Sequence, residues 1–378
     1  MTIAAAVAAA FAAFAGAGTA NAACASFWGV GNTAQCQSQV GSFAIATHDT
    51  GTATAVGIGG AISVGGGNAF SGGLFTAALA SGVKTDANAT GTGSLAQDVG
   101  NDKNTGSSAT AVGWFNRALN YGNGNTAVAT SGLTPALDLE TGNIDIGNST
   151  VLNVGNNNLG LAPGGFSNGV YQFGDRNGGL AGGVLSNLIQ VGSDNRSVPS
   201  MRIPLPVNTA TGLFTTNNVF GNRNSSHAQG NVNGALTVGD DNQNNVIGGL
   251  TENPKLPLPP LHPNLSASNV FGNGNRVNVG GNADTPNVVG DGNKVGVLGN
   301  RNITTLIGHG NKVEPKHNGV VGNNNTTTSV GDRNKIGVFG NGNVTTNFGH
   351  RSKLRSSGDN NVNASAGDDK TSIKSSGS

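Results

Sequence analysis

From Gly272 onward a glycine recurs at every ninth residue: Gly272, Gly281, Gly290, Gly299 and Gly308, then, after one longer step, Gly322, Gly331, Gly340, Gly349, Gly358 and Gly367. Most of these glycines open a short polar turn of the form GxxN, as in GNGN, GDGN, GNRN, GHGN, GNNN, GDRN and GDNN. A period this short requires stacking, because a nine-residue unit cannot bury an apolar face alone and must lean on its neighbours. The step appears in patches upstream, at Gly91 and Gly100, Gly113 and Gly122, from Gly165 to Gly192, and from Gly221 to Gly248.

Successive nonapeptides alternate in kind. GDGNKVGVL precedes GNRNITTLI, and GDRNKIGVF precedes GNGNVTTNF. The repeating unit is therefore two unlike nonapeptides, and the expected fold is all-β: a parallel β-solenoid (β-roll or β-helix) with about 18 residues per coil, two strands and two turns. Composition agrees. With 63 glycines in 378 residues, 10% charged and 5% aromatic residues, the chain cannot fill an ordinary two-layer core. The net charge of +1 supplies no global field for an anionic partner, although acids predominate before residue 175 and bases after Lys294.

The apolar residue before each turn glycine is expected to stack inward: Phe271, Val289, Leu298, Ile307, Val321, Val330, Phe339 and Phe348, and earlier Phe173, Val191, Phe220, Val238 and Ile247. A second inward row is expected at Val295, Val313, Ile336 and Leu354, with neighbours alternating outward. The turn residues have a structural explanation. Glycine accepts positive φ, and asparagine amides cap turn groups and bond from coil to coil.

Residues 1–22 read as a secretory signal peptide, with an Ala-rich apolar run and an AxA site at Ala20 and Ala22. No later segment is apolar enough to span a membrane, and the expected location is secreted or cell-surface. Cys24 and Cys36 follow the proposed cut, and an exported chain gives them the oxidising setting for a disulfide. The remaining organisation is a Gly/Ala-rich segment at 23–90, an irregular solenoid at 91–195, a loop insertion at 196–220, solenoid at 221–248, a Pro-rich insertion at 249–271, the regular solenoid at 272–366 and a polar tail at 367–378.

The nonapeptide step and GxGN turns resemble the calcium-binding RTX β-roll. The position that carries a calcium-binding Asp in that family holds Lys294, Lys312 and Lys335 here, and a cation there opposes calcium. GVGNTA from Gly29 and GNGNTA from Gly122 resemble fragments of curlin repeats, and GSSATAVG from Gly106 is similar to the heads of trimeric adhesins. These resemblances imply a repetitive bacterial protein, such as an adhesin or matrix component, acting outside the cell through its surface.

Three rows stand out. Arg276, Lys294, Lys312, Lys335 and Lys353 place one cation on each coil, a candidate site for cell-wall or matrix polysaccharide or another anionic polymer. Thr304 and Thr305, Thr327 and Thr328, and Thr345 and Thr346 form a candidate threonine face of the kind ice-binding solenoids use. Asn273, Asp291, His309, Asp332 and His350 follow alternate turn glycines, a position that favours short polar residues. No nucleophile, zinc spacing or phosphate loop occurs, so no catalytic residue, metal or cofactor is expected. The expected function is a non-enzymatic structural or adhesive solenoid. Alternatives are a fibre subunit that self-associates through the solenoid ends, as curli do, and an ice-binding or polysaccharide-active solenoid.

Overall fold

The computed structural model describes residues 24–375 apart from 49, 101–105, 131–135, 139–142, 146–147, 165–166, 197–207, 231, 249–264 and 314–318. Residues 1–22, read as a signal peptide, lie outside the described residues, as does most of the Pro-rich insertion. The fold is an all-β parallel solenoid with no helix among the described residues. Residues facing each other on adjacent coils are most often 18 apart, as are Asn269 and Asn287. The chain forms two compact units, Met1–Val184 and Leu185–Ser378.

In the first unit, Cys24–Phe27 runs antiparallel to Ser42–Ala46 and the solenoid strands that follow pair in parallel, while Ala136–Asp138 and Asn143–Asp145 form a separate antiparallel two-stranded sheet. Its interior is built from alanine. Cys36, Ala53, Ala69, Ala87, Ala109 and Ala127 succeed one another in register, each almost fully buried. Small side chains let the opposing strands approach closely, which is how an Ala-rich stretch supports strands despite its modest β propensity. A disulfide joins Cys24 to Cys36, with the two Cα atoms 5.9 Å apart, and ties the antiparallel strand to the first parallel coil.

In the second unit each coil carries two strands on opposite sides of a thin core. Counting the turn glycine as position one, positions four, six and eight point inward and five, seven and nine point outward. Strand Ile303–Ile307 shows the pattern: Thr304 and Leu306 are buried, while Ile303 and Ile307 are exposed. Val277, Val295, Val313, Ile336 and Leu354 form one inward column, and Val270, Val288 and Leu306 form part of another.

This geometry corrects one expectation. The residues before the turn glycines face outward: Phe271, Val289, Leu298, Ile307 and Phe348 are 40–53% exposed, as are Phe173, Val191 and Phe220 at 38–39%. Val238, Ile247, Val321, Val330 and Phe339 are half-buried. The reason is parity. Val295 and Leu298 lie three apart in one strand, and a two-residue side-chain period cannot turn both toward the same face. With Val295 inside, Val297 joins it and Leu298 turns out.

Two segments hold more strand than their composition suggested. Asn208–Leu213 and Thr216–Phe220 lie within 196–220, and Ala267–Phe271 lies within 249–271. Each follows the prolines and has no proline of its own, so its backbone is free to join the ladder. Thr371–Ser375, in the polar tail, also pairs with Lys353–Ser357.

Candidate functional site

The turns set the spacing of everything displayed on the surface. Gly299 has φ +137°, and a Cβ there would lie 1.8 Å from the Gly322 carbonyl oxygen of the next coil. Only glycine allows the coils to close to strand spacing at this corner. The asparagine at position four is buried and bonds twice to the next coil of the stack. Asn293 Nδ2 donates to Gly308 O at 2.8 Å, and its Oδ1 accepts from Asn311 N at 2.9 Å. The same arrangement recurs at Asn302, Asn325 and Asn343. These amides satisfy turn groups that the core would otherwise strand, a network that makes the register unique.

On that frame the five expected cations fall in one column. Arg276 faces Lys294, Lys294 faces Lys312, Lys312 faces Lys335 and Lys335 faces Lys353. Adjacent members are therefore about 4.8 Å apart along the stack. Lys294 is half-buried and the other four are exposed. Among the described residues no ion pair neutralises Arg276, Lys312, Lys335 or Lys353, so the column concentrates positive charge along one line of one sheet. Next to it, position seven carries Gly296 and Gly337, which present no side chain. Beyond these, Leu298, Val321 and Phe339 follow one another in register. Both glycines are buried, and their column carries Asn278 and Arg355 as well, so the cation row and the apolar row run side by side on one sheet. Arg355 lies over the Phe339 ring at 5.5 Å from its centroid and adds a further cation to the same sheet. Its signal in the sequence was parity: two residues from Lys353, it must share that face.

The threonine pairs do not form a face. Thr304, Thr327 and Thr345 are fully buried, and only Thr305, Thr328 and Thr346 form an outward column. Adjacent residues in a strand point to opposite sides, so a TT pair always divides. The inward three occupy position six, where the facing strands carry valine, isoleucine or leucine.

The row of Asn273, Asp291, His309, Asp332 and His350 lies along one line of turns, and each later member accepts from the backbone of the one before. Asn273 N donates to Asp291 Oδ1 at 2.7 Å, Asp291 N to His309 Nδ1 at 3.1 Å, His309 N to Asp332 Oδ1 at 2.7 Å, and Asp332 N to His350 Nδ1 at 3.0 Å. The common requirement is an acceptor atom, which Asn, Asp and neutral His all supply. These bonds hold the Asp332 carboxyl below its usual range, first through the His309 backbone N–H. Among the described residues no group of three His, Cys, Asp or Glu side chains could hold a metal ion.

Two buried carboxyls depart from the neutral interior. Burial raises Asp98 to about 7 against hydrogen bonds from the Asp86 backbone and Asn120. Burial likewise raises Asp284 to about 7 against bonds from Asn302. Asp284 occupies the asparagine position of its turn: its Oδ1 accepts from Asn302 N at 2.8 Å, and its Oδ2 has no partner. His227 is held neutral by burial, which lowers it to about 4.

No protein-family model, curated protein or solved structure matches this chain. Among the described residues no helix is long and apolar enough to cross a membrane.

Proposed function

We propose that this chain is a non-enzymatic β-solenoid of the cell exterior whose cation column binds a linear anionic polymer, such as an acidic wall or matrix polysaccharide. The observation that carries the reading is the register of Arg276, Lys294, Lys312, Lys335 and Lys353 on five successive strands of one sheet. Like charges at strand spacing repel, and a polymer with regularly spaced carboxylates or sulfates relieves that repulsion along its whole length. The apolar column of Leu298, Val321 and Phe339 on the same sheet offers a surface for the faces of sugar rings. The Cys24–Cys36 disulfide supports an oxidising compartment.

The test is binding of polygalacturonate by the full chain, with a neutral glucan as control. Lys294→Gln, Lys312→Gln and Lys335→Gln together should weaken binding at least about tenfold at low salt and reduce the slope of log affinity against log salt by up to about 3. Unchanged affinity and slope would overturn the reading. Growth through the solenoid ends is the second reading, and Lys374 bears on it. Its Nζ donates to the Val362 carbonyl, an acceptor that an added strand would need, which supports a blocked edge.

A further inference from the structure

The two sheets of the second unit differ in charge, and the uncharged one forms a continuous surface. Nine strands, from Asn187–Val191 to Val362–Ala366, pair in parallel along it. None of their outward positions carries a charged residue. Position nine displays exposed Val191, Phe220, Phe271, Val289, Ile307 and Phe348. Position five adds Ile303, Val344 and Val362, at 48%, 39% and 61% exposure. Between these columns position seven is mainly Asn and Thr. Charge resumes at the turns that border the sheet, at Arg223, Asp241, Asp291 and Asp332. Two apolar columns flank an uncharged Asn/Thr seam, and charge is confined to the bordering turns, as the depletion of charge inside protein interfaces requires.

We propose that this sheet pairs face to face with the same sheet of a second copy. The area fits such a partner: nine strands at about 4.8 Å spacing and five residues at about 3.3 Å rise cover roughly 700 Å². Two copies would then bury about 1,400 Å², within the range of stable specific interfaces. Charge selects the face and limits the assembly. The uncharged sheet meets its own image without stranding an ion, whereas the opposite sheet carries the cation column, which repels its image. Pairing therefore stops at two copies and leaves both cation columns facing solvent. The β-branched and aromatic columns interdigitate at about 10 Å between sheets, the spacing at which such side chains fill the gap. This pairing stands on the uncharged sheet alone and holds whether or not the cations bind a polymer.

Sedimentation equilibrium of the full chain tests it. The expected species is a dimer at about 10 µM, a concentration at which an interface of this size is populated. Val289→Lys with Ile307→Lys should raise the dimer dissociation constant at least about 100-fold by placing unpaired charge in the interface. Both side chains are exposed, so the far-ultraviolet circular dichroism of the monomer should match the parent. Lys335→Gln, on the opposite sheet, should leave the dimer intact. Asn287 lies at the centre of the middle strand, close to the two-fold axis of a fully overlapped pair. Both native cysteines are in the disulfide, so Asn287→Cys should cross-link copies under mild oxidation and Lys335→Cys should not. A chain that stays monomeric at about 100 µM, or a dimer that tolerates both lysines, overturns the proposal.

Discussion

Asp284 shows how closely one atom decides a rung of the stack. Its neighbours along the ladder, Asn302 and Asn325, donate an amide N–H to the turn carbonyls of Gly322 and Gly340, each at 2.8 Å. By the same step Asp284 answers to Gly299, but a carboxylate has no proton to give, and Oδ2 is left without a partner. Burial raises the group from 3.8 to about 7, the direction expected when the neutral acid suits the site better. A raised acid binds its proton in the folded chain over a pH range in which the unfolded chain has lost it. The stability it contributes is therefore complete below about pH 4 and lost as pH rises toward 7, with a slope of up to about 1.4 kcal/mol per pH unit. Asp98 acts in the same direction in the first unit. Asp284→Asn should raise the melting temperature of the second unit at pH 8 and leave it nearly unchanged at pH 4, as followed by calorimetry at both values.

Within a strand, parity sorts residues that composition cannot tell apart. Leu306 and Ile307 are adjacent and similarly apolar, yet Leu306 is fully buried and Ile307 is 44% exposed. Leu306→Ala should cost about 2–5 kcal/mol, because it removes a core side chain and leaves a cavity between coils. Ile307→Ala should cost less than about 1 kcal/mol in the monomer, measured below the concentration at which copies pair, as expected at an exposed site. Chemical denaturation of the two variants checks this, and equal costs would contradict the outward assignment of position nine. The turn supplies the other limit at this scale. Gly299→Ala places a methyl against the Gly322 carbonyl of the next coil, and neither backbone can yield without opening the stack. Soluble, cooperatively folded Gly299→Ala protein with parental stability would contradict that account.

Each unit is a succession of nearest-neighbour contacts, so a disturbance at one coil should stay local. The Cys24–Cys36 bridge provides the test. It closes a short loop at a sequence separation of 12 and fastens the antiparallel strand to the coil that follows. Such a loop contributes about 3 kcal/mol. Reduction should accelerate amide exchange across residues 24–64 by about 100-fold and leave residues 272–366 unchanged. Uniform acceleration along the chain would instead indicate one cooperative block. The same one-dimensional build explains how surfaces arise here, since a residue type kept at one repeat position becomes a column. The cation column and the uncharged sheet are both products of that rule.

Periodicity is enough for the solenoid, its 18-residue coil, the two strands per coil and the membership of the cation column. Each follows from a period, and a period survives without knowledge of depth. Which apolar row was core was not decided by period alone, because positions six, eight and nine are all apolar in GDGNKVGVL and only strand parity separates Val297 from Leu298. The tertiary structure settled that, and with it the division of each threonine pair and the exposure of the Phe271, Ile307 and Phe348 column. It also brought into register strands separated by insertions, so that Val238 faces Phe271 across the Pro-rich segment. The physical reason is that repetition is written along the chain, whereas inside and outside are defined only when two sheets close over a shared core.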